Sequence, residues 1–224
     1  MQINNLDLRW LGHSCFFIKN LKDNKVLYID PYNLKEDLEK ADIILITHSH
    51  YDHCSIEDLN KIVKPGTIIF MSADSQSKIT RLKVDIKMHI IEPNKEFSLG
   101  NIRISTIPSY NINKPFHPKE EGWLGYILKF DDTIIYHAGD TDLIPEFQKL
   151  TGHKSNIKEF IALLPVGGRF TMTAEEAAEA ARIIKPTLAI PMHYGSVAGS
   201  EEDAKEFVSL CNELGINAEV LERS

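Results

Sequence analysis

With 224 residues, 43% of them hydrophobic and 25% charged, the chain has the size and balance of one large globular domain or two fused halves. Its 25 lysines and arginines against 32 aspartates and glutamates leave a formal charge of −7 at pH 7, which weighs against broad, nonspecific binding to DNA or an anionic membrane. No apolar run approaches the ~18 residues of a membrane helix. Residues 1–9 lack a basic-then-apolar leader. Three widely spaced cysteines, Cys15, Cys54 and Cys211, make no disulfide framework, so a reducing, cytoplasmic setting is expected.

In chain order, residues 6–10, 15–19, 25–30 and 43–47 read as strands, being rich in β-formers and bounded by Gly, Asn or Pro. Ser55, with Asp58 three residues on, predicts a capping box opening a helix to about Val63, which Pro65-Gly66 stops. Strands follow at 67–71, 86–91 and 102–107. The second half repeats this order. Residues 125–130 and 133–137 predict a hairpin across Asp131-Asp132, and 160–165 a strand. Thr173 with Glu176 predicts a second capping box, opening an alanine-rich helix that can lie close to a sheet until Pro186. A strand at 188–192, a helix at 201–214 and a last strand at 218–221 complete the reading, with Gly215-Ile216-Asn217 as the final break. Strands early in each half and strand–helix alternation later predict a layered α/β arrangement, two sheets facing each other with helices outside. The expected organisation is a single domain over 1–224 in two similar halves, about 1–120 and 121–224.

The chemistry concentrates in Thr47-His48-Ser49-His50-Tyr51-Asp52-His53-Cys54, directly after an apolar strand. Residues two apart on extended chain share a side, so His48 and His50 can reach one ion together. The turn toward Ser55 lets Asp52 and His53 point to a second position nearby. Imidazole and carboxylate suit zinc, and also manganese or iron. Two further strand ends carry candidates: Asp140 in His137-Ala138-Gly139-Asp140-Thr141-Asp142, and His193 in Pro191-Met192-His193-Tyr194-Gly195.

From Trp10-Leu11-Gly12-His13-Ser14-Cys15 to Met192-His193-Tyr194-Gly195 the chain resembles the metallo-β-lactamase superfamily, whose hallmark is an H-x-H-x-D-H run followed by a later aspartate and a last histidine. The Gly-His-Ser-Cys opening and the His-Ala-Gly-Asp-Thr-Asp segment look most like the branch of L-ascorbate 6-phosphate lactonases and N-acylphosphatidylethanolamine phospholipase D. The resemblance implies a four-layer αββα sandwich of two mixed β-sheets with helices on the outer faces. It also implies one or two divalent ions, zinc first, with His48 and His50 on one metal and Asp52, His53 and His193 on the other. Asp140 would bridge them, and Asp30, in Ile29-Asp30-Pro31, would support the metal loop from behind. One departure stands out. The superfamily's further first-site histidine, just past the strand 102–107, is missing; Tyr110 and Asn111 sit near that spot and the nearest histidine is His117. Either His117 folds back as a substitute ligand, or the first site is weak or empty, or His117 is a surface residue on a loop stiffened by Pro115 and Pro118.

A divalent ion lowers the pKa of its water to about 7, and the resulting hydroxide would attack a carbonyl carbon or a phosphorus atom, with Asp52 orienting that water or taking its proton. The expected activity is metal-dependent hydrolysis of a small anionic ester, lactone or phosphodiester. Gly167-Gly168-Arg169 reads either as a cradle for a phosphate or carboxylate or as a flexible turn with a solvated arginine. Tyr194 reads as a donor to a substrate oxygen or as a core-edge tyrosine, and His13 as a neighbour of the site or a backbone partner. His137 reads as a support behind the site or, more readily, as a satisfied core residue, while His89 and His153 carry no signal above surface or loop residues. Cys54 reads as a packing residue, oxidation-prone if it lies beside a metal. Two other functions compete. An RNA or DNA phosphodiesterase of the same superfamily is opposed by the negative charge and the lack of an added clamp. A metal-poor, non-enzymatic binding module is motivated by the missing histidine. A small-molecule substrate is the expected partner, and the sequence leaves the oligomeric state open.

Overall fold

The computed structural model describes residues 1–152 and 157–224, so His153 lies outside the described residues. The chain divides into two units, one of Met1–Glu92 with Leu221–Ser224 and the other of Pro93–Val220. Among the described residues no helix is long and apolar enough to cross a membrane.

In the first unit, strands Gln2–Ile3 (β1), Leu6–Gly12 (β2), Cys15–Asn20 (β3), Lys25–Ile29 (β4), Ile43–Ile46 (β5), Ile68–Met71 (β6) and Lys87–Ile90 (β7) form one sheet in chain order. Pairing is antiparallel from β1 to β4 and parallel from β4 to β7. Parallel neighbours need crossovers, and helices Ile56–Ile62 (α1) and Gln76–Ile79 (α2) lie in the two that follow β5 and β6. β5 is buried at every residue, as a strand between parallel neighbours is. Its Ile44 and Ile46 join Tyr28, Leu59, Ile62 and Met71 in the unit's apolar core.

Ser55 caps α1, accepting from the Asp58 N–H. The Asp58 carboxylate does not complete the expected box. It accepts from the N–H groups of Asn33 (2.8 Å) and Leu34 (2.9 Å) and pairs with Lys61, tying the segment after β4 to α1.

The second unit holds Glu96–Leu99 (β8), Ile102–Pro108 (β9), Leu124–Phe130 (β10), Thr133–His137 (β11), Glu159–Pro165 (β12) and Leu188–Met192 (β13), in the sheet order β13-β12-β11-β10-β9-β8. Here too an antiparallel run, β8 to β11, is followed by parallel pairs, β11 to β13. The hairpin across Asp131-Asp132 closes with Phe130 opposite Thr133, Asp131 taking a left-handed φ of 43°. Helix Ala174–Ile184 (α3) starts at a reciprocal capping box between Thr173 and Glu176 and buries Ala174, Ala177, Ala178, Ala180 and Ala181. It ends at Lys185, left-handed just before Pro186. Helix Glu201–Glu213 (α4) has its own box, Ser200 with Asp203.

Two boundaries differ from expectation. β9 pairs with β10 over seven residues, so the stretch from Pro93 to about 120 belongs to the second unit, and the division falls at Glu92/Pro93. The last strand, expected at 218–221, does not form: Ala218 makes one isolated bridge to Ala189, and the chain then joins the first unit. There Arg223 bridges Trp10 and donates to the carbonyls of Leu11 (2.8 Å) and Asn33 (2.7 Å). Gly12 makes room for it. A Cβ at Gly12 would lie 2.8 Å from Arg223 Nε, and φ there is +109°.

Candidate functional site

In both units the singled-out residues lie just beyond the carboxyl ends of parallel strands, where open α/β sheets place ligands. In the first unit these are Asp30 after β4 and the 47–54 segment after β5; in the second they are Asp140 after β11 and His193 after β13. Asp30 and His193 both adopt left-handed backbone (φ 46° and 58°), a conformation that Asn, Asp and His tolerate better than most residues.

In the first unit Asp30 is wholly buried. Its Oδ1 accepts from the Thr47 N–H (2.8 Å), and its Oδ2 accepts from the Thr47 hydroxyl (2.6 Å) and from His53 Nδ1 (2.8 Å). These contacts fix two tautomers. A carboxylate facing His53 Nδ1 requires the proton there, so Nε2 keeps its lone pair. Thr47 has one hydroxyl proton and gives it to Asp30, so at 2.9 Å its oxygen accepts from His48 Nδ1, and His48 Nε2 also keeps its lone pair. The His48 and His53 rings lie 4.1 Å apart, and the His48 and His50 rings 4.6 Å apart. Candidate ligand atoms of His13, Asp52 and His53 lie within 4.8 Å of one another. His13 Nε2 is 2.9 Å from Asp52 Oδ2, and its carbonyl accepts the Trp10 indole N–H (2.8 Å). Imidazole lone pairs grouped with a carboxylate, and locked from behind by Asp30, fit a divalent cation.

In the second unit the buried Asp140 presents Oδ2 to His193 Nε2 (3.0 Å) and His117 Nε2 (3.2 Å). His117 is buried, so it is not a surface loop residue. Its Nδ1 faces two acceptors, Asn111 Oδ1 (2.9 Å) and the Phe170 carbonyl (3.1 Å), and therefore carries the proton. A neutral His117 then aims its Nε2 lone pair at a carboxylate oxygen. That approach is repulsive unless a cation, either a proton or a metal ion, lies between the two atoms, so this donor set also fits a metal.

The remaining candidates separate clearly. The N–H groups of Gly168 and Arg169 donate to Met172 O (2.9 Å) and Gly167 O (2.7 Å), so they are not open to an anion, and the Arg169 guanidinium lies over the Phe170 ring. Gly167 has a different role: a Cβ there would sit 2.5 Å from the His193 carbonyl oxygen and 2.9 Å from its Nδ1. Tyr194 is buried, which pushes its phenol up to about 12. The Cys54 thiol is likewise pushed up to about 12 by burial, and so stays a thiol at neutral pH. His137 is buried and accepts at Nδ1 from the Gly139 N–H; His89 is exposed and stacks on Phe70. All three cysteines are buried and free.

Sequence reasoning missed Thr47, Asn111 and Asp142, which hold the candidate ligands in place. Thr47 and Asp142 lie inside the same short motifs as His48 and Asp140. Asn111 stands where a histidine was sought, which was the available signal.

The chain matches the β-lactamase superfamily domain over residues 7–193. It is 36% identical over 203 residues to a UPF0173 protein of Pyrococcus abyssi, covering 87% of this chain and 86% of that one. It is 32% identical over 222 residues to a UPF0173 metal-dependent hydrolase of Caldivirga maquilingensis, covering 95% and 92%. A crystal structure from Parabacteroides distasonis, 31% identical, superposes with a TM-score of 0.82 over 98% of this chain and 94% of that one. Igni18, a metallo hydrolase of Ignicoccus hospitalis, is 24% identical and shares the fold, with a TM-score of 0.76 over 98% and 96% of the two chains. Two mixed sheets with helices, of α/β class, are what these likenesses and the strand pairings have in common. The chain belongs to the β-lactamase superfamily and, within it, to the UPF0173 metal-dependent hydrolase family.

Proposed function

We propose that the protein is a metal-dependent hydrolase of a small anionic ester, lactone or phosphodiester, with zinc as its first-choice ion. The proposed ligands are His48, His50, Asp52 and His53 from the first unit and Asp140, His193 and His117 from the second. The supporting observation is the set of tautomers: His48, His53 and His117 are each held through Nδ1, which leaves Nε2 as an electron-pair donor. The family membership points to the same metal-dependent hydrolysis, and the ester, lactone or phosphodiester class is carried by the sequence resemblance alone.

A bound divalent ion supplies Lewis acidity and makes water acidic enough to ionise near pH 7. The chain's own groups supply the rest. His13 holds the Asp52 carboxylate in one orientation, and Asp52 aligns the attacking water and takes its proton. Asp30 and Thr47 keep two imidazoles from turning.

A cavity of about 410 Å³ beside the 51–58 segment supports the anionic substrate class. It is lined by Tyr32, Tyr51, Lys61, Lys78 and Arg81, and also by Glu57 and by Asp58, which pairs with Lys61. Tyr32 meets both the His13 ring and the Tyr51 ring edge-on. The aromatic walls offer a face to the substrate body, and Lys78 and Arg81 attract its charge.

The test is turnover by zinc-loaded protein of three probes: a nitrophenyl ester, an acyl lactone and a nitrophenyl phosphodiester. At least one is expected to be hydrolysed, with the rate abolished by a chelator and restored by zinc or manganese. Turnover of a responsive probe at an unchanged rate after metal removal would refute the reading.

A further inference from the structure

We propose that Asn111, anchored by Asp142, is a positioning residue that locks His117 in the Nδ1–H tautomer and so presents Nε2 as a metal ligand. This rests on the reading of His117 as a ligand. It gives the residue found where the superfamily's histidine is missing a definite task.

The argument starts from which way the Asn111 amide faces. Its Nδ2 donates to Asp142 Oδ1 (3.0 Å) and to the Phe170 carbonyl (2.9 Å), and both are acceptors. Its Oδ1 accepts the His117 backbone N–H at 3.1 Å. A flipped amide would set oxygen against two acceptors and N–H against a donor, so the orientation is determined by its neighbours. With Oδ1 facing His117 Nδ1 at 2.9 Å, the ring must donate, and the Phe170 carbonyl at 3.1 Å demands the same. Turning the ring over would place a C–H against both acceptors. Asn111 and His117 are further clamped by the Asn111 N–H to His117 carbonyl bond of 2.7 Å.

Asp142 is itself held. It accepts from the Ile112 N–H (2.9 Å) and from Lys114 Nζ (2.6 Å), and Lys114 also donates to the Thr171 carbonyl (2.8 Å). Asn111, His117 and Asp142 are all buried, which strengthens each contact and makes an unpaired member costly. The chain of orientation therefore runs from Lys114 and Asp142 through Asn111 to the imidazole. Its far nitrogen faces Asp140 Oδ2 at 3.2 Å.

The experiment uses the full chain, stripped of metal with a chelator, at about pH 8, above the ordinary imidazole pKa. Long-range proton–nitrogen NMR assigns the His117 tautomer, and calorimetric titration with zinc alone gives affinity for wild type, Asn111→Leu and His117→Ala. The Nδ1–H pattern is expected in wild type. Asn111→Leu, which has no acceptor, should weaken zinc binding by about 10–100-fold and admit some of the Nε2–H pattern. An Nε2–H pattern in wild type, a Leu variant with the wild-type pattern, or a Leu variant within about twofold of wild type would each overturn the role of Asn111. Should the Leu variant fail to fold, the wild-type tautomer decides. Unchanged zinc affinity in His117→Ala would instead overturn the ligand reading beneath it.

Discussion

Asp30→Asn is expected to weaken zinc binding by about 10–100-fold and to reduce hydrolysis by up to about 10⁴-fold, the scale seen elsewhere when an amide replaces a carboxylate that fixes a histidine tautomer. The substitution keeps volume and shape, so the effect isolates hydrogen-bond polarity. Oδ2 receives two protons, from the Thr47 hydroxyl and His53 Nδ1, and Oδ1 receives the Thr47 N–H. An amide nitrogen in the Oδ2 position faces two donors, and His53 answers by moving its proton to Nε2, where the metal lone pair is needed. In the other orientation the amide nitrogen faces the Thr47 N–H, leaving a buried donor unsatisfied at a cost of about 1–3 kcal/mol. Calorimetric zinc titration beside thermal unfolding measures both effects. Zinc affinity and turnover both within about threefold of wild type would contradict this account of Asp30.

Asp52→Asn should separate proton transfer from metal retention. A carboxamide oxygen can still accept from His13 Nε2, 2.9 Å away in the native protein, and can still face a cation. It cannot take a proton from water. The expected result is kcat lower by about 10²–10⁴-fold, the usual contribution of a positioned general base, with KM and zinc content close to wild type. Steady-state kinetics on zinc-loaded variant and wild type is the check. Undiminished kcat would remove Asp52 from the water-activating role.

Much of the fold was legible because strand ends and caps are local events. Apolar runs bounded by turn residues located most of the strands of both sheets, and Thr173 with Glu176 marked its helix through a box that the structure reproduces reciprocally. The failures are non-local. Asp58 has the spacing of a box residue, yet two backbone N–H groups 24 and 25 positions earlier claim its carboxylate. Residues 218–221 have strand-like composition, but beyond the single bridge at Ala218 the chain leaves β13 and meets Trp10, which no local pattern announces. β8, half exposed on the edge of its sheet, lacks the apolar run that betrays a buried strand.

The candidate site shows the same division. His48, His50, Asp52 and His53 stand in one short run, and Asp140 and His193 at strand ends, so residue type and placement pointed to them. Their supports act across the chain: Asp30 reaches His53 from 23 positions away, and Asn111 reaches Asp142 from 31. Periodicity carries no information about such pairs. The Gly167-Gly168-Arg169 turn shows the opposite error, since glycines that suggested an open anion cradle have N–H groups engaged by their own loop, and Gly167 yields space to His193.

The most direct test is the stoichiometry of zinc on chelator-stripped, full-length protein, measured by calorimetric titration and confirmed by elemental analysis. One or two ions per chain are predicted for wild type, falling by at least one in Asp140→Ala and in a His48→Ala/His50→Ala double variant. A folded wild-type chain that takes up no divalent ion, or variants that bind as many as wild type with equal affinity, would contradict the account.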